Sequence, residues 1–591
     1  MKQKQKIFSS VVGILCIAGL FLSCNTNSNA KAETLNADYV VVGGGAAGLM
    51  SALELSEKGK VVLLEKMPGL GGTSIRAKGF LWSIDSALNK ATGKGLTAQQ
   101  MFDYYKEKAG AENFNAELFQ AMLDVSGSVV DDLLQKGMPF SKERLIPGTP
   151  NYPQLLCLTV DGEGPAMVAK FKELLEKSGV EILLNTRAAE LIIKDGAVQG
   201  VVAEKDGKKY NIFAQKTVLA TGGFAKSKEL MAKYNKEFAD NVAFCGTGNT
   251  GDGITMALAA GAQLTGNGVL GIWGMNDYYG YVGDIGSLVR QTAVYVNKEG
   301  KRFVNEKRYY AEVHKELNKI TDKLAYGIFD SSNPAFVANL EKALAENLSV
   351  KADSLEALAA KLNIDAANFK SAIESYNTAY AAGEDGDFGI KNKVMTPVLK
   401  APFYAVEVRP TIIGTITGLK VNEKAQVLNE KNEAIPNLYA TGELIIGNFV
   451  NNEYPTTGTV LSTCLYSGKI AADNASKDTT SKYSASSSKK MTAATQKAKK
   501  SNTVYKDGVY TAEAKGMNGP VKVEVSVEGK KIAAVKVVSH SETPGISDPA
   551  FDVIPAAIVK ANSFEVDTVS GATMTSKALI EAAKLALKDA R

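Results

Sequence analysis

The stretch that decides the fold is DYVVVGGGAAGL, residues 38–49. An apolar strand leads into a glycine-rich turn, a helical pattern runs to Lys58, and a second apolar strand, VVLL at 61–64, ends in Glu65. Glycines in this order permit a tight turn, the approach of a pyrophosphate and close helix packing, while the acid binds ribose hydroxyls. The pattern predicts a dinucleotide-binding α/β domain. Its cofactor contacts are predicted at Gly43, Gly45, Ala46, Ala47, Gly48, Glu65 and Lys66.

The composition of the 591 residues, 45% hydrophobic and 22% charged, predicts a folded protein of two or more domains. A net charge of +5 is too weakly basic to indicate a nucleic-acid partner. Five cysteines and two histidines are too few for a disulfide framework, and the chain has no CxxCH motif for haem attachment. Composition therefore argues against both a nucleic-acid-binding protein and a c-type cytochrome.

The first 35 residues indicate export. Basic residues before an apolar run at 7–22, followed by LSC ending at Cys24, resemble a bacterial lipoprotein signal. The resemblance implies a signal peptide at 1–23, acylation of Cys24 and a tether at 24–35, which gives a lipid-anchored protein of the extracytoplasmic cell envelope, in the periplasm or at the cell surface. The alternative is an ordinary signal peptide cut near Ala30, which also exports the protein.

Three later motifs favour FAD over NAD as the cofactor. They are VLATGGF at 218–224, LYATGE at 438–443 and the glycine-rich loop 69–79. Together with GKRFVNE at 300–306, they resemble the fumarate reductase/succinate dehydrogenase flavoprotein family over residues 36–476. The loop lacks the histidine that tethers FAD in membrane-complex members, so the resemblance implies non-covalent FAD. Its further contacts are expected at Gly71, Gly72, Thr73, Ser74, Gly79, Thr221, Gly222, Gly223, Asp252, Gly442, Glu443, Leu461 and Ser462.

The same resemblance implies the domain order. An α/β FAD-binding, Rossmann-like domain is expected at 36–271 and 401–475, interrupted by an inserted α+β capping domain at 272–400. Residues 476–503 are mostly Ser, Thr, Ala and Lys, which predicts a flexible linker, with a weak contact to anionic lipid as the alternative. A small α+β FMN-binding domain is expected at 504–591.

The last domain carries two motifs of FMN-binding domains. DTVSGAT at 567–573 resembles their D-x-x-[ST]-G-A-T flavinylation site, and HSETPG at 540–545 resembles a second segment of the same domains. The resemblance implies that a flavin transferase joins FMN covalently to Thr573 through a phosphoester, with His540 and Asp567 in the same site. The alternative is a plain Ser/Thr turn before the final helix.

The substrate site departs from that of fumarate reductases. Tyr310 stands where that family has its proton-donating Arg, four residues after the NE of GKRFxNE. Residues 413–419 lack the histidines of the family's HHTMGG segment, and NNEYPTTG at 451–458 lacks the late Arg. Because a dicarboxylate buried without cationic donors is costly, the sequence argues against fumarate as the substrate.

Tyr310, Tyr454 and Gly458 are instead similar to positions in 3-ketosteroid dehydrogenases. There the first Tyr handles a proton beside the carbonyl, while the second Tyr hydroxyl and the Gly N–H bind the ketone oxygen. Because the pKa of Tyr is about 10, Tyr310 requires a nearby cation, for which Arg308 and Arg290 are the candidates. The alternative is that these tyrosines are core aromatics with satisfied hydroxyls.

Other side chains carry weaker predictions. Trp273 lies where the family has a substrate-facing His, so it either walls an aromatic or apolar substrate or packs in the core. His314 is expected on the surface of the capping domain. Inert buried thiols are expected at Cys157, Cys245 and Cys464.

Three functions fit these residues. The first is an exported reductase of anaerobic or extracellular respiration, resembling urocanate reductase, in which a membrane or extracellular donor reduces FMN and FAD then reduces the C=C bond of a small enoate or enone. The second is a ketosteroid-type or related FAD dehydrogenase that works in the reverse direction. The third is an electron-transfer flavin lipoprotein without catalysis of its own.

Overall fold

A computed structural model describes residues 33–148, 154–479, 504–517, 519–542, 547–566, 568–569, 572–588 and 590. The predicted signal peptide, Cys24 and Asp567 lie outside these residues, as does most of the predicted linker. Within the described ranges, no helix is both long and apolar enough to cross a membrane. The same residues contain no group of three or more His, Cys, Asp or Glu side chains arranged to hold a metal ion.

The predicted βαβ unit lies within an eight-stranded sheet. Its first strand pairs in parallel with the second, Tyr39 opposite Val61, and on its other edge with the strand that ends at Leu219. The strands up to residue 265 are β1 (Glu33–Val42), β2 (Val61–Leu64), β3 (Phe80–Trp82), β4 (Phe140–Pro147), β5 (Leu156–Val160), β6 (Glu181–Leu183), β7 (Arg187–Lys194), β8 (Ala197–Lys205), β9 (Lys208–Leu219), β10 (Val242–Ala243) and β11 (Leu264–Thr265). The helices are α1 (Ala46–Ser56), α2 (Ala87–Thr92), α3 (Ala98–Ala109), α4 (Ala116–Gln135), α5 (Glu163–Lys177), α6 (Lys228–Tyr234) and α7 (Asp252–Ala259).

The capping segment is interleaved with the FAD-binding domain through a six-stranded sheet. The strands of the capping segment are β12 (Val269–Gly274), β13 (Val294–Asn297), β14 (Ala325–Phe329), β15 (Ser349–Ala352), β16 (Glu384–Asp385) and β17 (Ile390–Lys391). Its helices are α8 (Gly283–Gly286), α9 (Leu288–Gln291), α10 (Tyr310–Leu317), α11 (Pro334–Ala345), α12 (Leu355–Leu362) and α13 (Ala366–Ala382). The returning chain forms β18 (Phe403–Thr415), β19 (Gly418–Leu419), β20 (Gln426–Leu428), β21 (Ala434–Ala440) and α14 (Thr459–Lys477). Strand β18 pairs with β10 of the FAD-binding segment and with β12, β14 and β15 of the cap, so it joins the two domains.

The last helix of the FAD-binding domain extends past the predicted boundary at residue 475. Helix α14 ends at Lys477, and the Asp478 carboxylate lies 2.9 Å from Lys216 Nζ. Tyr439 donates a hydrogen bond of 2.9 Å to the same carboxylate. Because Lys216 is buried, it requires this negative partner. Residues 476–478 therefore belong to the folded domain, and the predicted start of the linker at 476 is too early.

The small C-terminal domain packs two helices against a three-stranded antiparallel sheet. Its elements are β22 (Gly508–Lys515), β23 (Pro520–Glu528), β24 (Lys531–Ser539), α15 (Asp548–Ala561) and α16 (Thr573–Ala586). Alternate residues of β23 point into the core, as the period of two along a strand requires, and the buried ones are Val521, Val523, Val525 and Val527.

Candidate active site

The glycine-rich turn forms one wall of a large cavity in the FAD-binding domain. Gly43 has φ +110°, and a Cβ on it would lie 2.4 Å from the Ala220 carbonyl oxygen, so no other residue fits there. Helix α1 begins immediately after the turn, and its Ala46 N–H donates to Ser74 Oγ at 3.2 Å. Backbone N–H groups and the positive end of a helix suit a pyrophosphate at this place.

Two charged residues follow β2 in the same cavity. The Glu65 carboxylate accepts hydrogen bonds from Gly44 N–H at 2.8 Å and from Met67 N–H at 2.7 Å. Burial raises the pKa of Glu65, and these hydrogen bonds offset part of the rise. Its remaining lone pairs can accept hydrogen bonds from ribose hydroxyls, as predicted. Lys66 pairs with Asp252 at 2.9 Å.

A second buried carboxylate, Glu443, lines the cavity. It accepts hydrogen bonds from Thr415 N–H at 2.8 Å and from Asn249 Nδ2 at 2.9 Å. Burial raises the pKa of Glu443 to about 7, because the charged form loses its hydration. The group can therefore accept or donate a hydrogen bond near neutral pH.

Most of the predicted FAD contacts line this cavity. They are Gly43, Gly45, Ala46, Ala47, Glu65, Lys66, Gly72, Thr73, Ser74, Thr221, Gly222, Asp252, Glu443 and Leu461. Six others lie behind the lining, namely Gly48, Gly71, Gly79, Gly223, Gly442 and Ser462. Their role is packing: a Cβ on Gly48 would lie 1.8 Å from the Gly43 carbonyl oxygen, and Ser462 Oγ accepts the Trp82 N–H at 2.9 Å.

These residues fit FAD. The cavity combines a glycine cradle at a helix N-terminus with two buried carboxylates for hydroxyl groups, and apolar and aromatic side chains complete it. Glycine at position 43 lets the turn pack directly on the backbone at Ala220, where a Cβ would lie 2.4 Å from the carbonyl oxygen. FAD bound here would bring a hydride-transferring ring into a cavity that also holds the predicted catalytic tyrosines.

The predicted catalytic tyrosines meet in that cavity. Tyr310 begins α10, and its hydroxyl accepts a hydrogen bond of 2.5 Å from the Tyr309 hydroxyl. The Tyr310 oxygen also lies 3.3 Å from Thr457 Oγ1. The centroid of the Tyr310 ring is 5.5 Å from that of Tyr454 and 5.9 Å from that of Trp273. The arrangement gives a chain of hydroxyl groups inside an aromatic wall.

Burial keeps these tyrosines neutral. Loss of hydration raises the pKa of Tyr310 well above its usual range, and the neighbouring Tyr309 and Tyr454 add to the rise. Burial likewise raises the pKa of Tyr454 far above its usual range. At neutral pH both residues therefore carry their protons and can donate hydrogen bonds.

The structure separates the two candidate cations. Arg290, in α9, lines the cavity close to Tyr281. Burial raises the pKa of Tyr281 to about 12, and the positive charge of Arg290 offsets part of this rise. Arg308 lies on the surface with 59% of its side chain exposed and pairs with Glu312 at 3.1 Å. The prediction that Arg308 serves the site is wrong, because it pairs outward with a residue one helical turn away.

Gly458 lies where the chain enters α14, beside Tyr454. It has φ +90°, and a Cβ would lie 3.1 Å from both Leu81 Cα and Trp82 N. A glycine is therefore required for close approach as well as for conformation. Because Gly458 lines the cavity, the positive end of α14 contributes to the potential there.

Sequence reasoning missed Tyr309 as part of the site. Consecutive residues of a helix point in different directions, so the sequence did not predict that the hydroxyls of Tyr309 and Tyr310 would meet. Tyr309 instead lies just before α10 with an extended backbone, φ −58° and ψ 139°, which turns its side chain toward that of Tyr310. Tyr281 and Thr457 were also missed as cavity residues: Tyr281 lies in a segment without a motif, and Thr457 lies between Tyr454 and Gly458 but is not one of the positions that the resemblance covers.

His314 is buried, contrary to its predicted surface position. Its Nε2 lies 3.0 Å from Asn241 Oδ1, and its ring occupies the space that a side chain on Gly271 would need. Burial lowers the pKa of His314 to about 3, so the ring is neutral. The described thiols are buried as predicted, and burial raises the pKa of each to about 12: Cys157, Cys245 and Cys464.

The structure brings the two FMN motifs together in the small domain. Thr573 is the first residue of α16, and the Thr575 hydroxyl donates to the buried carboxylate of Glu542 from the HSETPG segment. His540 is exposed at the start of that segment. Asp567 and residues 543–546 lie outside the described residues. A helix N-terminus at Thr573 suits a phosphate.

Fold and site together define a flavoprotein with two flavin-binding domains. Residues 38–460 match the FAD binding domain family, and residues 516–588 match the FMN-binding domain family. Because the first match covers most of the chain, the protein belongs to the FAD binding domain family.

Known relatives and structures agree with this assignment. The chain is 30% identical over 516 residues to the NADH:acrylate oxidoreductase of Vibrio harveyi, covering 74% of this chain but only 50% of that relative. It is 29% identical over 433 residues to the urocanate reductase of Eggerthella lenta, covering 69% and 70% of the two chains. The open conformation of a flavocytochrome c3 fumarate reductase superimposes with a TM-score of 0.65 at 25% identity, covering 75% and 78%.

Proposed function

We propose that this protein is a flavin-dependent oxidoreductase of the fumarate/urocanate reductase type, which reduces the C=C bond of an α,β-unsaturated carbonyl compound. Bound FAD would supply the hydride, while the residues of the cavity bind the acceptor and provide the proton. The observation that carries the proposal is the hydrogen bond that Tyr309 donates to Tyr310, which lines the FAD cavity, because it presents a protonated donor with a second hydroxyl behind it.

The protonation state of Tyr310 favours reduction over dehydrogenation. A reductase needs the neutral phenol as proton donor, whereas a dehydrogenase needs the phenolate as base. Burial raises the pKa of Tyr310, so the phenolate population at neutral pH is below the fraction of about 10⁻³ expected for an ordinary tyrosine. After Tyr310 has delivered its proton to the α carbon, Tyr309 is positioned to replace it.

Tyr454 and Gly458 are assigned to the carbonyl oxygen of the acceptor. As hydride reaches the β carbon, negative charge develops on this oxygen, and fixed hydrogen-bond donors stabilise it. The neutral Tyr454 hydroxyl and the Gly458 N–H at the start of α14 are donors of this kind. Removing one such donor typically costs about 3–4 kcal/mol of transition-state stabilisation.

The cavity favours an acceptor with one polar end and a flat apolar part. Arg290 lines the cavity near Tyr281, and the aromatic rings of Trp273, Tyr310 and Tyr454 lie within 6 Å of their neighbours. One carboxylate or ketone can meet Arg290 and the hydroxyl donors, while a conjugated apolar group packs on the rings. A dicarboxylate such as fumarate fits this arrangement poorly.

The proposal extends to the place of the reaction and to its electron supply. Acylation of Cys24 would anchor the protein to a membrane on its extracytoplasmic side, where NADH is absent. Thr573, esterified by a flavin transferase, would hold FMN as the entry point for electrons from a membrane or extracellular donor. The supporting observations are the lipoprotein-like sequence before Cys24 and the helix N-terminus at Thr573.

A single assay tests the proposed reaction. The chain from residue 25 is loaded with FAD and FMN and mixed with reduced methyl viologen, and dye oxidation is followed with fumarate, urocanate, cinnamates and enone ketones. We expect rapid turnover of an aryl enoate or an enone, with fumarate at least about 100-fold slower in kcat/KM, the loss expected for unpaired carboxylate binding. Rapid fumarate turnover would refute the argument from the missing Arg and His residues.

The reverse reaction is the second candidate, because Tyr310, Tyr454 and Gly458 match the ketosteroid dehydrogenase pattern. If the reverse reaction is the function, saturated ketones should reduce the FAD in a single turnover, and the rate should rise with pH as the phenolate of Tyr310 forms. If neither direction gives turnover although both flavins are bound, the chain serves as an electron-transfer lipoprotein.

A further inference from the structure

The FMN-binding domain meets the capping domain at an ion pair. Lys515 Nζ, at the end of β22, lies 3.3 Å from Oε1 of Glu346, the residue that follows the last turn of α11. The Lys515 side chain is 81% exposed and that of Glu346 is 38% exposed. Exposed pairs of this kind are weak and are screened by salt, so the contact can form and break repeatedly.

Lys515 marks the side of the small domain that carries the FMN motifs. The next residue is Gly516, and a Cβ on it would lie 2.6 Å from Glu542 Oε1. Glu542 in turn accepts the hydrogen bond from Thr575, two residues after the predicted FMN attachment residue Thr573. The ion pair therefore orients the FMN side of the domain toward the cap.

The surface of the large domain beside Glu346 is the turn at 276–280, which carries Tyr278 with 44% of its area exposed. Burial raises the pKa of Tyr278, and the nearby Tyr279, Glu542 and Glu346 raise it further. Glu542 lies against Gly516, the residue after Lys515, so it is on the side of the small domain that meets the cap. The contact that joins this side to the cap is the ion pair of Lys515 with Glu346.

The same turn borders the FAD cavity. Strand β12 runs from the cavity wall at Trp273 directly into it. Arg76 Nη1 donates to the Asp277 carbonyl oxygen at 3.1 Å, and its guanidinium lies 4.8 Å from the centre of the Phe244 ring. Both Arg76 and Phe244 line the cavity, so one side chain touches both the turn and the FAD site.

We propose that Lys515, Glu542, Glu346 and the Tyr278 turn form a docking interface that brings the FMN side of the small domain to the mouth of the FAD cavity. The inference rests on the proposed function for its purpose, since electrons pass between two flavins only when these are close. The interface need not be strong, because the covalent connection between the domains keeps their effective concentration high.

Zero-length carbodiimide cross-linking of the full chain tests the interface, because it joins a lysine only to a carboxylate already in contact. At low salt, peptide mass spectrometry should show Lys515 joined to Glu346. The yield should be about threefold to fivefold lower at an ionic strength near 1 M, where the screening length falls to about 3 Å and a pair worth at most about 1 kcal/mol is lost. Lys515→Glu should abolish the inter-domain product at these two positions, and Lys515→Glu/Glu346→Lys should restore it. Lys584→Glu, on α16 about 16 Å along the helix from Thr573, is the matched control and should leave the yield unchanged.

The outcomes are distinguishable. The interface is refuted if Lys515 cross-links with similar yield to many carboxylates, or if it does not cross-link to Glu346 at low salt. It is also refuted if the Lys515→Glu/Glu346→Lys variant does not recover the cross-link. No turnover of acceptor is needed for any of these readouts. A protein that shows the cross-link but reduces no enoate or enone retains the interface and refutes the proposed function alone.

Discussion

The hydroxyl groups of two consecutive residues, Tyr309 and Tyr310, lie 2.5 Å apart and share one hydrogen bond. The pair forms because Tyr309, with φ −58° and ψ 139°, is the non-helical residue before α10 whereas Tyr310 opens the helix, so the two side chains turn toward each other. Both residues are removed from water, which raises the pKa of each well above its usual range. Under the proposed function, Tyr310 transfers the proton and Tyr309 resupplies it.

This pair gives the first prediction. Tyr310→Phe removes the general acid, and kcat should fall by about 10²–10⁴-fold while FAD absorbance is retained. Tyr309→Phe removes the hydrogen bond to Tyr310, worth about 1 kcal/mol, together with the proposed resupply of the proton, and should lower kcat by at least about fivefold. Steady-state kinetics with the best acceptor measures both. A Tyr310→Phe enzyme with wild-type kcat would show that another group delivers the proton.

Arg290 and Arg308 provide a matched pair for the second prediction. Arg290→Gln removes one of the cations that line the cavity, the one near Tyr281, and kcat/KM should fall by about 10–100-fold, as expected for loss of a charged hydrogen bond of about 1.5–3 kcal/mol. Arg308→Gln breaks an exposed ion pair and should change kcat/KM by less than about fivefold, since such pairs contribute at most about 1 kcal/mol. Equal losses in the two variants would return Arg308 to the site.

The cofactor cradle was predictable from the sequence, and the substrate end was predictable only in part. Spacing alone located Gly43 and Glu65, because a βαβ unit binds a pyrophosphate in one way. Tyr310 and Tyr454 were found by resemblance. Whether Arg308 faces the cavity or the solvent depends on the orientation of the first turn of α10, which the sequence does not give. The direction of the Tyr309 side chain depends on the residue at which α10 begins, and sequence periodicity does not determine a helix start to within one residue.

Burial was the other property that sequence predicted poorly. His314 lies between Glu312 and Lys315 in the sequence, which suggested a surface position, yet it lies on the inner face of α10 beside Asn241. The end of α14 was placed too early because the Ser- and Lys-rich composition begins before the fold ends. The contacts of Asp478 with the buried Lys216 and with Tyr439 show that it belongs to the domain.

The third prediction concerns Gly43. In Gly43→Ala the new Cβ would lie 2.4 Å from the Ala220 carbonyl oxygen at φ +110°, so the cradle must deform and FAD should be lost. Titration of the FAD-free variant with FAD should give a Kd at least about tenfold higher than that of the wild type, the change that a loss of about 1.4 kcal/mol in binding produces. Gly386→Ala is the control, since a Cβ there meets nothing within 4 Å. A wild-type Kd for FAD in Gly43→Ala would disprove the close approach.

The fourth prediction follows from Glu443, whose pKa burial raises to about 7. In the unfolded chain the pKa of Glu is about 4.3, so the folded protein binds this proton more tightly. The stabilising contribution of the proton is complete below pH 4.3 and is lost as pH rises through 7. At 1.36 kcal/mol per unit of pKa, the loss in the free energy of unfolding amounts to about 3 kcal/mol between pH 4.5 and pH 8.

FAD-free protein shows this effect most directly, because bound hydroxyl groups would alter the environment of Glu443. Urea unfolding at pH 4.5 and pH 8 measures the change in the free energy of unfolding for the wild type and for Glu443→Gln, which cannot lose a proton. Between pH 4.5 and pH 8, the decrease in the free energy of unfolding should be about 3 kcal/mol smaller in Glu443→Gln than in the wild type. The contributions of all other groups are common to both proteins and cancel in this comparison. Glu346→Gln, at the surface, should retain the full decrease. If Glu443→Gln loses as much stability as the wild type over this range, the carboxyl is already ionised at pH 4.5 and its burial does not govern its proton.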